Sequence, residues 1–307
     1  MLCNNGVLLF STCEWLSAQG SADPAVLMFL AVIGGSIGVL MGLLGIGGGL
    51  LIVPILHYLP PLLFAKPLLH FKSITGIAAV QGLAGSVAGT WSHHQQKNIV
   101  WPWVFLLAPL SIVGAYAGGL LTVYVSDDQL TYLLLAVLFS AWGLMLLREW
   151  KRTQTAGQAA TIPQTSPVQT PNPPAPPLAT NLPVNRGLLA LVALMVGGLS
   201  GLLGIGGAVF MLPLLHGPFQ LPMSLAVGTS SVLVLLNMLL TTVAKAQTGH
   251  LPLWYAVVIT LSAVVGSTLG ARLTVTLSDS TLRRIHLTLI TSMLLWVAYD
   301  VLGRLRQ

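Results

Sequence analysis

Charged side chains are scarce in this chain of 307 residues. Asp, Glu, Lys and Arg make up 7% of the sequence, whereas 55% of the residues are hydrophobic. Soluble domains carry about 25% charged residues. Because 13 basic and 7 acidic side chains cannot cover the surface of a fold of this length, most of that surface must face lipid. The composition excludes a water-soluble globular protein and predicts an integral membrane protein.

Several other features are missing, and each absence narrows the function. The two cysteines, Cys3 and Cys13, lie near one end and leave no disulfide framework or Cys/His metal set. The net charge of +6 comes without the basic stripe and interleaved aromatics of a nucleic-acid binder. The apolar run Gly6–Phe10 has no basic residue before it, so no cleaved signal peptide is predicted. We expect no metal, no cofactor and no nucleic-acid partner.

Apolar runs of about 20 residues, the length that crosses a bilayer as a helix, recur along the chain. They lie near 25–44, 74–91, 103–122, 129–147, 187–203, 223–244, 253–275 and 282–302. The predicted fold is an all-α integral membrane protein with about eight transmembrane helices. Between the two groups of four runs, Thr153–Asn185 has no charged or aromatic residue and many prolines, which predicts a disordered or polyproline-like linker.

The chain contains an internal repeat. The seven residues Gly42–Gly48 are identical to Gly201–Gly207, and residues 113–122 align with 265–274. We therefore predict two homologous four-span repeats. The predicted organisation is a 1–24 N-terminal segment, 25–150 repeat 1, a 151–186 Pro-rich linker, 187–303 repeat 2 and a 304–307 basic tail.

The glycine motif predicts that the first helix of each repeat is broken. Ala25–His57 would be about 50 Å long as one helix, whereas the hydrocarbon layer is about 30 Å thick. Unwound backbone inside a bilayer must be buried in protein or line a cavity, where a restarting helix presents N–H groups to an anion. The predicted substrate-binding glycines are Gly45, Gly47, Gly48, Gly204, Gly206 and Gly207. The alternative is close helix packing, which the small-xxx-small pairs Gly34/Gly38, Gly114/Gly118 and Gly266/Gly270 favour elsewhere.

Polar side chains inside apolar spans are costly unless they face the bundle interior. Thr229, Ser230 and Asn237 lie on the sixth span, and Thr75 and Gln81 lie on its counterpart in the first repeat. These side chains are predicted to contribute to substrate binding, because hydroxyl and amide groups can replace the hydration shell of an oxyanion. Interhelical hydrogen bonding, worth about 0.6 kcal/mol on average, is the alternative.

Lys245 and Arg272 are candidates for the counter-charge of an anion, but both lie near span ends. Snorkelling of the side chain to the interface is the favoured interpretation of both. If each repeat crosses the membrane four times, both termini and the linker lie on the same side. Eight Lys and Arg residues lie on that side and five on the other, which predicts that the termini and the linker are inside. An additional half-crossing by each glycine segment would instead invert one repeat relative to the other.

An enzymatic function is not expected. Gly198-Leu-Ser200-Gly201 matches the GxSG pattern of intramembrane serine proteases, but the chain lacks the histidine motif that would supply a base. Paired acidic residues within one span are also missing. Proteolysis and other hydrolytic chemistry are therefore disfavoured.

The doubled Gly-Leu-Leu-Gly-Ile-Gly-Gly motif, the prolines Pro54 and Pro213, and Gly228-Thr-Ser-Ser231 resemble the TauE/SafE, or sulfite exporter, family of permeases. The resemblance covers residues 25–150 and 187–302, although the first repeat has Thr75-Gly-Ile-Ala78 in place of the hydroxyl-rich motif. It implies a multi-pass inner-membrane secondary transporter for sulfur-containing oxyanions such as sulfite or organosulfonates. The expected partners are a small anionic substrate and the lipid bilayer, with a homo-oligomer left open. An anion channel and a non-transporting membrane scaffold or biogenesis partner are the alternatives.

Overall fold

A computed structural model describes residues 24–44, 49–64, 69–158, 186–207, 210–211, 214–215, 221, 223–274 and 279–305. Within these ranges the regular structure is helical and there is no strand, which confirms the all-α prediction. The helices are α1 Pro24–Leu44, α2 Gly49–Phe64, α3 Phe71–Gln95, α4 Trp101–Leu121, α5 Asp127–Gln158, α6 Arg186–Leu203, α7 Met223–Gln247, α8 Leu253–Thr274 and α9 Asp279–Leu305.

Three stretches within these helices are long and apolar enough to cross a membrane: Trp101–Leu121, Leu225–Gln247 and Leu253–Gly270. Four shorter apolar stretches lie within α1, α2, α6 and α9. Large apolar side chains such as Phe105 on α4 and Val265 on α8 point outward, as expected for helices that contact lipid. The count of eight spans stays a prediction.

The predicted linker begins later than expected. Helix α5 continues to Gln158, so residues 153–158 are helical, and the prediction that they belong to a disordered linker is wrong. The physical reason is that the first proline of the segment is Pro163, and nothing before it interrupts the helical hydrogen bonds. Residues 159–185 lie outside the described residues.

The two copies of the sequence repeat interlock. Helix α1 packs along α8, and its sequence counterpart α6 packs along α4, the counterpart of α8. Glycines make both contacts possible, since a Cβ atom on Gly114 would lie 2.9 Å from the Gly198 nitrogen and one on Gly266 would lie 3.0 Å from the Val39 nitrogen. The packing interpretation is confirmed for Gly34, Gly38, Gly114, Gly118 and Gly266.

The copies also run in opposite directions. Helices α3 and α7 occupy equivalent places in the repeat, and they contact each other in antiparallel fashion. Thr75 meets Lys245, a Cβ on Gly82 would lie 2.8 Å from the Met238 sulfur, and a Cβ on Gly89 would lie 3.9 Å from the Ser231 hydroxyl. Residue numbers thus rise along α3 as they fall along α7. This is the inverted relationship that the sequence left open.

Candidate functional site

The chain leaves the helical conformation at the second glycine motif. Helix α6 ends at Leu203, and Gly204, Gly206 and Gly207 follow with φ angles of 68°, 81° and 72°. Residues other than glycine rarely adopt this left-handed conformation. The backbone N–H groups of Phe210 and Met211 then donate to the Gly207 carbonyl at 3.1 and 3.0 Å. The predicted break in the second repeat is confirmed.

The corresponding residues of the first repeat, Gly45, Gly47 and Gly48, lie outside the described residues. Helix α1 ends just before them at Leu44, and α2 begins just after them at Gly49. The substrate-binding role predicted for these three glycines stays a prediction.

The second break is enclosed by both repeats. A Cβ atom on Gly204 would meet the backbone carbonyl of Thr75 on α3, and one on Gly49 would lie 2.6 Å from the Ile205 Cα. On the other side, a Cβ on Gly206 would lie 2.9 Å from a Val234 methyl group on α7. Unwound backbone is therefore packed against helices of both repeats, and Gly204 and Gly206 have no space for a side chain.

Lys245 is fully buried beside this break. Its Nζ atom donates hydrogen bonds to Thr75 Oγ1 at 2.8 Å, to Thr122 Oγ1 at 2.7 Å and to the Leu202 carbonyl at 3.2 Å. The snorkelling interpretation of Lys245 is wrong. Side chains on a helix lean toward its N-terminus, so a lysine in the last turn of α7 reaches back into the bundle when other helices surround it.

The three groups around the Lys245 ammonium are neutral acceptors. Thr75 Oγ1 donates its own proton to the Lys72 carbonyl at 2.7 Å, and Thr122 Oγ1 donates to the Gly118 carbonyl at 3.1 Å. Three acceptors match the three N–H donors of a charged lysine. Within the part of the chain that the structure describes, no carboxylate forms an ion pair with Lys245. When Lys245 is protonated, the cluster carries one positive charge with no negative partner among the described residues.

Lys245 ends a polar stripe along one face of α7. Asn237, Thr241 and Lys245 follow at intervals of four residues and are fully buried, as is Thr229 eight residues before Asn237. The stripe faces α4, because Asn237 Oδ1 accepts a hydrogen bond of 2.9 Å from the Ser111 hydroxyl. Three consecutive turns of α7 thus place polar groups in the apolar interior of the bundle, and Leu233 separates them from Thr229.

Among the described residues, three fully buried side chains of α6 and α7 carry a polar atom that has no hydrogen-bond partner. The three atoms are Ser200 Oγ, Asn237 Nδ2 and Thr241 Oγ1. Ser200 and Thr241 were not among the predicted site residues. The spacing of Thr241, midway between Asn237 and Lys245, was a signal that could have found it.

The predicted polar residues do not form one cluster. Thr75 and Gly204 lie with Lys245, and Gln81 is buried further along α3. Thr229 lies about 24 Å from Lys245 along α7 and accepts a hydrogen bond of 3.0 Å from the Val100 N–H. Ser230 donates to the Val227 carbonyl at 3.0 Å. The contact of Thr229 is the interhelical hydrogen bond that was its alternative interpretation.

The loop that follows α7 lies in the positive field of this cluster. Burial lowers the pKa of His250 to about 4, and the positive charges of Lys245 and Lys72 add to the effect. His250 is therefore neutral at physiological pH, and it adds no positive charge next to Lys245.

Membrane-length apolar helices, a helix broken at the bundle centre and a charge buried among polar side chains define a multi-pass membrane protein of the transporter class. A family model described as "Sulfite exporter TauE/SafE" matches residues 29–297. The chain belongs to the TauE/SafE family.

The similar curated proteins carry transporter names. A "Probable membrane transporter protein" of Xylella fastidiosa is 27% identical over 249 residues, which cover 80% of this chain and 84% of the relative. The "Probable membrane transporter protein YunE" of Bacillus subtilis is 25% identical over 256 residues, covering 80% and 86%. No solved structure matches the chain significantly. Family and relatives identify the protein as a membrane transporter.

Proposed function

We propose that the protein is a secondary transporter that moves sulfur-containing oxyanions, such as sulfite or organosulfonates, across the inner membrane. The observation that carries this proposal is the buried ammonium of Lys245, whose described partners are all neutral. A buried charge without a counter-ion is strongly destabilising, and a bound anion would remove that cost.

The substrate class follows from the family description and from the chemistry of the cluster. A positive charge on the buried Lys245, surrounded by neutral groups, favours a nearby anion through electrostatic attraction in the low-dielectric interior. The sequence has no nucleotide-binding motif, so an ion gradient is the proposed energy source. The inverted repeats fit a transporter that exposes one central site to either side in turn.

The proposed membrane arrangement retains eight principal helices, with α1, α3, α4 and α5 in the first repeat. In the second repeat they are α6, α7, α8 and α9. Helix α2 returns toward the side from which α1 enters, and α7 begins on the side from which α6 enters. Both termini then lie on one side of the membrane and the linker lies on the other, which replaces the orientation expected from four crossings per repeat.

The charges next to the helix ends favour one orientation of this arrangement. Eight basic residues lie on the linker side, whereas four lie on the side of the termini when the buried Lys245 is left out. The linker-side residues are Lys97, Arg148, Lys151, Arg152, Arg186, Arg272, Arg283 and Arg284, and the others are Lys66, Lys72, Arg304 and Arg306. We place the linker in the cytoplasm.

Counterflow in proteoliposomes tests the function. Vesicles with the purified full chain are loaded with unlabelled sulfite, an organosulfonate, sulfate or a carboxylate, and uptake of labelled substrate is followed. The proposal expects counterflow with sulfite or the sulfonate and little with the carboxylate. Equal counterflow with every anion would contradict the substrate class, and downhill flux without counterflow would indicate a channel.

A further inference from the structure

Three fully buried side chains of α6 and α7 each carry a polar atom that is unpartnered among the described residues and that the Lys245 cluster does not use. The three atoms are Ser200 Oγ, Asn237 Nδ2 and Thr241 Oγ1. Burying a polar group without a partner is unfavourable, so native proteins rarely place several close together. Such a concentration indicates groups that are satisfied by something other than the protein.

The three groups lie where α4, α6 and α7 meet. Helix α4 contacts both other helices at two levels. At the first level, Ser111 bonds to Asn237 of α7, and its carbonyl lies against Gly197 of α6. At the second level, a Cβ on Gly201 would lie 2.6 Å from the Gly119 nitrogen, and one on Gly119 would lie 3.6 Å from the Thr241 carbonyl. Ser200 is next to Gly201, so Ser200 and Thr241 both lie at this seam of three helices.

The broken backbone forms another wall of this seam. A Cβ atom on Gly207 would lie 3.6 Å from the Ser200 Cβ, and a Cβ on Gly206 would lie 3.7 Å from the Met238 Cγ. Met238 is the residue after Asn237. The break therefore packs between Ser200 of α6 and the face of α7 that carries Val234 and Met238, next to Asn237.

The chemistry of the unpartnered atoms favours an anion over a cation. The Asn237 carbonyl oxygen is already engaged by the Ser111 hydroxyl, and the atom left without a partner is the amide nitrogen, which can only donate. The hydroxyls of Ser200 and Thr241 are able to donate as well. Lys245 lies one helical turn beyond Thr241 on the same face of α7 and carries the nearby positive charge.

We infer that Ser200, Asn237 and Thr241 form the binding site for the head group of a monovalent oxyanion, with Lys245 supplying the counter-charge. This inference rests on the proposed function and narrows it. One lysine neutralises one negative charge, and a dianion would leave a second charge buried without compensation. The site therefore favours a monoanion such as an organosulfonate over a dianion such as sulfate.

The test is a binding titration on the purified full chain in detergent, with methanesulfonate as the monoanion and sulfate as the dianion of similar geometry. Three variants are compared with wild type: Ser200→Ala, Thr241→Val and the control Thr268→Val. The control removes an exposed hydroxyl of α8 that bonds only to its own helix at 2.7 Å. Thermal unfolding of each ligand-free variant is measured alongside.

Each site variant is expected to bind methanesulfonate about ten-fold or more weakly, because a hydrogen bond to a charged group is lost. The ligand-free site variants should unfold at the same temperature as wild type or higher, since an unpartnered buried hydroxyl has been replaced by an apolar group of similar shape. Removal of a hydroxyl that stabilises the fold would instead lower the unfolding temperature of the ligand-free protein. Thr268→Val should match wild type, and wild type should bind sulfate at least ten-fold more weakly than methanesulfonate.

Several results would overturn the inference. Equal affinity of wild type and both site variants for methanesulfonate would leave the proposed function intact and place the site elsewhere. Equal affinity for sulfate would remove the preference for a monoanion. Stabilisation by Na⁺ in the absence of any oxyanion would mark a cation site. If wild type binds none of the sulfur oxyanions, the proposed function itself fails.

Discussion

Lys245 and Thr75 are 170 residues apart and belong to opposite copies of the repeat, yet the ammonium of one donates a 2.8 Å hydrogen bond to the hydroxyl of the other. The bond joins the last turn of α7 to the first turns of α3. It is possible because the two helices pack antiparallel across the centre of the bundle. A shift of one repeat relative to the other must lengthen or break this hydrogen bond. The bond therefore couples the environment of Lys245 to the relative position of the two repeats.

The glycine break is tested by Gly206→Ala with Gly114→Ala as the packing control. Both variants are expected to lower the melting temperature. Gly206 has a φ of 81° and a Val234 methyl group 2.9 Å from the new Cβ, and Gly114 has the Gly198 nitrogen at 2.9 Å. The left-handed conformation costs about 1–2 kcal/mol for alanine.

Substrate affinity separates the two variants. Gly206→Ala should weaken binding, because the break it distorts is part of the site, whereas the folded fraction of Gly114→Ala should bind like wild type. The measurements are thermal unfolding and a binding titration on each purified protein. Normal affinity in a destabilised Gly206→Ala protein would show that this glycine serves packing alone.

The membrane orientation is tested by cysteine labelling. In a background with Cys3 and Cys13 replaced by serine, single cysteines are placed at Ser166 in the linker and at Gln307. With the linker in the cytoplasm, a membrane-impermeant maleimide added to intact cells should label the cysteine at 307 and leave that at 166 unlabelled until the membrane is permeabilised. Labelling of both positions from the same side would contradict the inverted arrangement of the repeats.

Coupling to an ion gradient is expected because the sequence has no motif for using nucleotide. Substrate uptake into proteoliposomes should rise when a gradient is imposed and should fall when nigericin collapses a pH gradient or valinomycin collapses a potential. The initial rate of uptake with and without each ionophore is the measurement. Uptake that runs only downhill and ignores both ionophores would identify a channel.

His250 predicts a pH dependence of stability. Its folded-state pKa of about 4 is below the ordinary value of 6.5, so the unfolded chain takes up a proton at higher pH than the native protein does. Stability contributed by neutral His250 is therefore complete above pH 6.5 and is lost as the pH falls toward 4. His250→Gln should flatten the melting temperature between pH 6.5 and 4. An unchanged slope in that window would rule His250 out as its source.

The helix break could be predicted from sequence because its cause is local. Glycines at Gly204, Gly206 and Gly207 make a left-handed backbone possible whatever surrounds them, and a run of apolar residues too long for one span required an interruption. The identity of Gly42–Gly48 with Gly201–Gly207 likewise made the internal repeat predictable from sequence. Packing of Gly114 and Gly266 against neighbouring helices followed from the small-xxx-small spacing in the same way.

The environment of Lys245 could not be predicted, because it depends on residues far away in the chain. Nothing near Lys245 in sequence indicates that Thr75 and Thr122 surround its ammonium, and a lysine close to the end of a span ordinarily extends to the interface. Lys245 reaches Thr75 because α3 and α7 pack antiparallel. Four crossings per repeat would make the two copies parallel and would exclude this contact. The sequence around Ser200 matches only a protease pattern. Its place at the seam of three helices is a tertiary feature that the local sequence does not indicate.

The proposed function depends on the buried charge of Lys245, and the substitution Lys245→Met tests this dependence most directly. Methionine has similar length and no charge, so it should fill the space and leave the empty protein as stable as wild type or more stable. Arg284→Gln, which removes an exposed charge on α9, is the control. In counterflow measurements at equal membrane abundance, we expect Lys245→Met to lose at least 90% of sulfonate exchange, because a loss of about 1.4 kcal/mol of binding free energy already weakens binding ten-fold. Arg284→Gln should retain wild-type exchange. A Lys245→Met protein that exchanges sulfonate at the wild-type rate would contradict the account.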